Sequence, residues 1–130
     1  MIAVDTSALL ALLLNEPEAD AIAGVLATGE PLVMSAATLA EALMLAHRRD
    51  VGPEMEMLVT GLGIMVEPLT AERAREVAAA FQVWGKGAHP ARLNFGDCFT
   101  YATAKAAGGN LLFIGNDFSE TDLVSVLTPT

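Results

Sequence analysis

Short apolar runs alternate along the chain with longer stretches of helical periodicity, and turn residues separate them. Ile2-Ala3-Val4 is an apolar triplet ending at Asp5-Thr6-Ser7, residue types that accept hydrogen bonds from the first turn of a helix. This predicts a buried strand feeding a helix over Ala8–Leu14. A second helix is predicted from Glu16-Pro17-Glu18 to about Leu26, broken by Gly29-Glu30-Pro31. Leu32-Val33-Met34 predicts the next strand, and Ser35 caps a long helix reaching Arg49. Gly52-Pro53 opens another helix that stops near Gly61 and Gly63, and Ile64-Met65-Val66 predicts a third strand. Thr70 caps a helix over Ala71–Trp84, in which Val77, Phe81 and Trp84 recur at helical spacing. Gly85–Leu93, with Gly85, Gly87 and Pro90, predicts a loop. Asn94 caps a helix that carries Asp97, Tyr101 and Lys105 and ends at Gly108-Gly109. Leu111–Ile114 predicts a fourth strand, and Leu123–Leu127 leaves room for a short fifth.

Strands alternating with helices predict an α/β fold around a central parallel sheet of four to five strands. No linker, repeat or low-complexity tract divides the chain, so residues 1–130 read as a single domain. The 53% hydrophobic content fills a core of that size and excludes disorder. No apolar run approaches the roughly 18 residues of a membrane helix, and no basic leader precedes Ala8–Leu14. With Cys98 as the one cysteine, the expectation is a cytoplasmic protein in a reducing compartment, and Cys98 reads as a small core side chain.

Charge complicates the picture. Seven basic residues against 16 acidic ones give a net charge of −9, which opposes nonspecific binding to a phosphate backbone. Any nucleic-acid substrate must then be met by bound cations and a few local Arg or Lys side chains.

In open α/β sheets, ligands bind beyond the carboxyl ends of the strands. Asp5 follows the first predicted strand and Asp117 the fourth, while Glu41 and Asp97 lie in the early turns of helices starting near the same edge. Each has a local structural use as well: Asp5 as a helix cap, Asp97 as the partner of Asn94 in a capping box, Asp117 in an Asx-turn. Glu41 differs, because Ala36–Leu45 surrounds it with apolar side chains, where an unpaired charge is costly. Four carboxylates without an evident basic partner repel one another unless divalent cations join them, and all-oxygen ligation suits Mg²⁺ or Mn²⁺. No His/Cys spacing points to zinc, and His47 and His89 lack the partners of a Ser–His–Asp arrangement. His47 reads instead as a polar residue near a helix end. A phosphatase using an aspartyl nucleophile needs a second Asp at the position of Ser7, which disfavours that chemistry.

Ile2–Leu9, Ala40-Glu41, His89–Phe99 (with Asn94-Phe95-Gly96-Asp97-Cys98 at its centre) and Leu111–Asp122 together resemble the PIN-domain proteins, and among them the VapC toxins of bacterial toxin–antitoxin modules. The resemblance spans nearly the whole chain, with the motifs in order. It implies a three-layer α/β/α sandwich, Mg²⁺- or Mn²⁺-dependent endoribonuclease activity, homodimerisation, and neutralisation by a cognate VapB-like antitoxin. Carried over by position, the catalytic and metal-binding acids are Asp5, Glu41, Asp97 and Asp117, with Thr6 and Asn94 as supporting residues. Asn116 stands where many relatives carry an acid, which lowers the local negative charge. Asp122, with Ser119 before it, reads as a helix N-cap pair.

In the expected mechanism Asp5, Asp97 and Asp117 hold one or two ions, and Glu41 ligates or orients the water that attacks an RNA phosphodiester. Arg48, seven positions beyond Glu41 on the same helix face, is a candidate phosphate contact or a cation at the helix end. Lys105 carries the same ambiguity. Two further readings stay open: a catalytically silent binding module with this fold, and cleavage of DNA rather than RNA. Met44, Leu45, Met55, Met57 and Leu58 are expected mostly to fill the core, with room for an interface.

Overall fold

The computed structural model describes residues 1–127. The chain order is β1 (Ile2–Val4), α1 (Thr6–Leu13), α2 (Ala19–Leu26), β2 (Leu32–Ser35), α3 (Ala36–Arg48), α4 (Gly52–Gly61), β3 (Met65–Glu67), α5 (Ala71–Trp84), α6 (Phe95–Ala106), β4 (Asn110–Leu112) and β5 (Val124–Ser125). The strands form one five-stranded sheet in the order β3-β2-β1-β4-β5, and every pairing is parallel.

Side chains alternate across the pleat, and the sheet separates two hydrophobic clusters. Ile2, Val4, Leu32, Met34 and Leu112 join Leu9, Ile22, Ala42 and Met55 from α1–α4 on one face. Ala3, Val33, Leu111 and Phe113 join Val77, Ala80, Cys98, Ala102 and Phe118 on the other, against α5 and α6. A sheet buried on both faces explains why these strands read as continuous apolar runs rather than as polar–apolar alternation. The result is the expected three-layer sandwich. The chain steps from β1 out to β3, then returns to β4 on the other side of β1. The strand order therefore reverses beside β1, and the carboxyl edge there is the natural crevice of the fold.

Several boundaries shift from the sequence expectation. Helix α1 starts at Thr6, because Asp5 caps it directly through the Ser7 amide. Strand β4 ends at Leu112, and Phe113 is buried beyond it against Phe118. Asp122 is no helix cap: Tyr101 Oη donates to its Oδ1 at 2.7 Å and Lys105 Nζ to its Oδ2 at 2.9 Å. Lys105 is thus an ion-pair partner rather than a free phosphate ligand. Met55 is fully buried as expected, whereas Met44 and Met57 are 70% and 73% exposed, so these two are surface and not core. Among the described residues no helix is long and apolar enough to cross a membrane.

The Asp122 contacts belong to a longer chain that ties α5 and α6 to the segment before β5. Trp84 Nε1 donates to Tyr101 Oη at 2.9 Å, and Tyr101 Oη in turn donates its hydrogen bond to Asp122. Burial, with Asp122 beside it, pushes the Tyr101 phenol up to about 12. Tyr101→Phe leaves Trp84 and Asp122 without this partner and should cost about 1–2 kcal/mol. Urea titration followed by emission of Trp84, the single tryptophan, measures it.

Candidate active site

Asp5 leaves β1 at its carboxyl end and is 8% exposed. Its Oδ2 accepts from the Ser7 amide at 3.1 Å and Ser7 Oγ at 2.6 Å, and its Oδ1 accepts from Thr100 Oγ1 at 3.0 Å. Ser7 Oγ also receives the Ile114 amide, which joins the chain beyond β4 to the start of α1. Thr100 Oγ1 lies 3.2 Å from Thr38 Oγ1. An ionised carboxylate only accepts, so the Thr100 proton goes to Asp5 and Thr38 is the donor to Thr100. Both threonines are 2% exposed. Asp5 is thereby held directly by Ser7 of α1 and Thr100 of α6, with Thr38 of α3 behind Thr100.

Glu41 sits two turns into α3 and is half-buried. Its Oε1 accepts from Thr6 Oγ1 at 3.0 Å. Thr6 is buried beside Asp5, so adjacent residues at the end of β1 engage two of the predicted acids. Asp97 lies in the first turn of α6, where it and Asn94 form a reciprocal capping box: Asn94 Oδ1 accepts from the Asp97 amide at 2.9 Å and Asp97 Oδ2 from the Asn94 amide at 3.1 Å. The structural use predicted for Asp97 is real. Its carboxyl also stands in a repulsive environment. The Asp97 carboxyl is raised from 3.8 to about 6: burial contributes most, the Asn94 amide works against it, and repulsion from Asp117, Asp5 and Glu41 adds to the rise. Asp117, exposed in the segment after β4, therefore shares the neighbourhood of the other three. The fold gathers all four acids to one edge.

No Lys or Arg side chain answers them: among the described residues, none of the four acids takes part in an ion pair. Arg48 lines with Glu41, Thr38, Met44, Phe95 and Phe99 a cleft of about 540 Å³ between α3 and α6. Asn94 serves as the α6 cap, and Asn116 is exposed beside Asp117. As to a metal, the donor set is all carboxylate, without a compensating cation, and this chemistry fits a hard divalent ion. Among the described residues, no three His, Cys, Asp or Glu side chains converge on a common point that would hold such an ion. Asp5, Glu41 and Asp97 are instead turned to the hydroxyl and amide donors named above.

The sequence reading missed Ser7, Thr38, Thr100 and Gly96. The first three are the hydroxyls that orient Asp5. Gly96 lies directly under Glu41: a β-carbon built on it would stand 2.6 Å from Glu41 Oε2. A faint signal for the threonines was present, because Thr38 precedes Glu41 and Thr100 follows Asp97 by three residues, which places each hydroxyl on the helix face of its acid.

Comparison with known proteins agrees with this architecture. The PIN domain family model matches residues 2–123. The chain is 47% identical over 125 residues to ribonuclease VapC36 of Mycobacterium tuberculosis, covering 92% of this chain and 89% of that one. It is 42% identical to ribonuclease VapC42 of the same species, covering 92% and 95%. Among solved structures, Mycobacterium tuberculosis VapC20, described as a sarcin-ricin loop cleaving toxin, superposes with a TM-score of 0.80 at 22% identity, over 98% of this chain and 100% of that one. A toxin–antitoxin complex from Klebsiella pneumoniae matches with a TM-score of 0.73 at 18% identity, over 95% and 96%. At those identities the two structures speak for the fold alone. Family model and relatives together place the chain in the PIN-domain family and, within it, in the VapC group.

Proposed function

We propose that this chain is a divalent-metal-dependent endoribonuclease, the toxin of a toxin–antitoxin pair, with Asp5, Glu41, Asp97 and Asp117 as its catalytic acids. The observation that carries the reading is the state of Asp97, a carboxyl held near 6 by burial and by three other acids that no basic residue neutralises. A structural capping box needs none of those neighbours. The relatives named as ribonucleases, at 42–47% identity over most of the chain, support RNA as the substrate class.

In this reading Asp5, Asp97 and Asp117 would hold Mg²⁺ or Mn²⁺, with Glu41 as a further ligand or as the residue that orients the attacking water, and the ion when bound supplies Lewis-acid stabilisation of the leaving oxygen and lowers the pKa of water. The protein's own contribution is orientation. Ser7 and Thr100 fix both oxygens of Asp5, and Thr6 fixes Glu41 Oε1, leaving Oε2 to accept the proton of the attacking water. Arg48, on the wall of the same cleft, meets a substrate phosphate and offsets part of the chain's negative charge. An antitoxin that places a basic side chain among the four acids would neutralise them and block the site. The exposed Met44 and Phe95, at the rim of the α3–α6 cleft, offer apolar surface for a homodimer interface beside the cleft, with the wall that carries Glu41 and Arg48 left open to substrate.

The test is incubation of the pure protein with structured RNAs, with Mg²⁺, with Mn²⁺ and with a chelator. Cleavage with either ion that stops on chelation, and is lost in Asp5→Asn, is the expected result. Undiminished cleavage in the chelator, or full activity of Asp5→Asn, overturns the assignment. Cation-dependent cleavage of DNA in preference to RNA would keep the site and change the substrate. No cleavage of either would favour the silent module.

A further inference from the structure

We infer that Gly96 is a positioning residue: its missing side chain is the seat of the Glu41 carboxylate. Gly96 lies in the first turn of α6, in a backbone conformation open to any L-residue, since its φ falls outside the left-handed range. Glycine there weakens the helix relative to alanine. Turn geometry therefore does not explain it, whereas Gly29, Gly63, Gly87, Gly108, Gly109 and Gly115 all have positive φ.

The explanation lies across the cleft. A β-carbon at position 96 would meet Glu41 Oε2 at 2.6 Å and Cδ at 3.4 Å, with Asn94 Oδ1 next at 3.6 Å. Real β-carbons do not approach an oxygen that closely, so one of the two must move. Glu41 Oε1 is held on its other side by Thr6 Oγ1 at 3.0 Å. The carboxylate is thus clamped between the Thr6 hydroxyl and the bare face of Gly96. An added methyl group displaces it, and displacement breaks the Thr6 contact. Because the clashing atom is the far end of a flexible side chain, the backbone need not shift. The fold survives and only the position of the acid is lost.

This inference rests on Glu41 being functional for its consequence in catalysis, but not for the seat itself, and the experiment separates the two. Gly96→Ala is made in the wild-type and in a Glu41→Ala background, and the four proteins are melted without metal. Alanine should raise Tm in the Glu41→Ala background, where the methyl group is free to support the helix. In the wild-type background the gain should be smaller by about 3 °C or more, or reversed. Equal changes in the two backgrounds overturn the seat. On the same proteins, Mn²⁺ binding by electron paramagnetic resonance and RNA cleavage are measured. Gly96→Ala should lower kcat at least about tenfold with KM within about twofold and weaken Mn²⁺, and its effect on Mn²⁺ affinity should vanish in the Glu41→Ala background. Adding Glu41→Asp to Gly96→Ala, which withdraws the carboxylate from the methyl group, should restore part of the Mn²⁺ affinity. Coupled melting with unchanged kcat and Mn²⁺ affinity would overturn the positioning role. Coupled melting in a wild-type protein that neither binds Mn²⁺ nor cuts RNA would retain the seat and reject the nuclease.

Discussion

Asp97→Asn should abolish cation-dependent RNA cleavage and, without metal at neutral pH, make the protein more stable. Asparagine keeps an oxygen for the Asn94 amide and so preserves the capping box, but it removes the charge. The folded-state value of about 6 lies above the ordinary 3.8. Between those values the native protein binds a proton that the unfolded chain has released, so stability falls as pH rises through this window. Above about 6 the penalty is complete. It is on the order of 1–2 kcal/mol once solvent screening of this half-buried group and the favourable helix-end position of an anion are allowed for. The variant should gain several degrees in Tm at pH 7.5 with a chelator present and nothing at pH 3.5, below both values. Its cleavage rate should fall by roughly 100-fold or more, exceeding the loss from removing an outer partner of a metal site. In the parent protein, activity should decline as pH drops through about 6, and this acid limb should move to lower pH as Mn²⁺ is increased. A residue serving only as a helix cap would show neither the gain nor the loss.

The opposition of the two effects follows from how the site is made. Under the proposed function, side chains that repel one another in the free protein are kept where a cation would use them, and the remaining structure carries the cost. That cost also explains why the acids were singled out as candidates from sequence although their contacts were not. Glu41 stood out because Ala36–Leu45 is otherwise apolar, and Asp5 and Asp117 because each follows an apolar run that could only be a strand. The caps were legible for a related reason. Ser35, Thr70 and Asn94 bond to amides two or three residues ahead, and interactions of that range are written locally.

What was not legible depends on partners distant in the chain. Thr100 and Asp5 are 95 positions apart, and Thr38 and Thr100 are 62 apart. Beyond the three-residue spacing of each from an acid, nothing near either threonine distinguishes it from a core residue that tolerates a hydroxyl. Asp122 misled for the opposite reason, since Ser119 at the right spacing offered a local cap while Tyr101 and Lys105, on another element, took both its oxygens. Gly96 was hidden because a glycine in a helix start looks like a weak helix former until the carboxylate above it is known. Met44 and Met57 read as core because hydrophobicity says that a side chain can be buried and not that it is.

Phe118 illustrates how such a hidden residue governs a visible one. It is 1% exposed and meets Phe113 edge to face, with ring centroids 5.3 Å apart. Its neighbour Asp117 is exposed, and the chain around it is held by short-range bonds: the Ser119 amide to the Asn116 carbonyl, and the Thr121 amide and hydroxyl to the Phe118 carbonyl. Those bonds shape the turn, but the aromatic anchor fixes the turn to the sheet. Phe118→Ala should therefore cost about 3–5 kcal/mol, the transfer and cavity penalty of a buried aromatic, measured as a drop in the urea midpoint with unchanged slope. The catalytic consequence should exceed what unfolding explains. Under conditions where the variant remains folded, its cleavage rate should still fall, because Asp117 no longer stands near Asp97, and the pKa of Asp97 followed by carbon NMR should move down as one repelling neighbour departs. A variant that loses stability yet keeps both its folded-state rate and its Asp97 titration would show that Asp117 finds its place without this anchor.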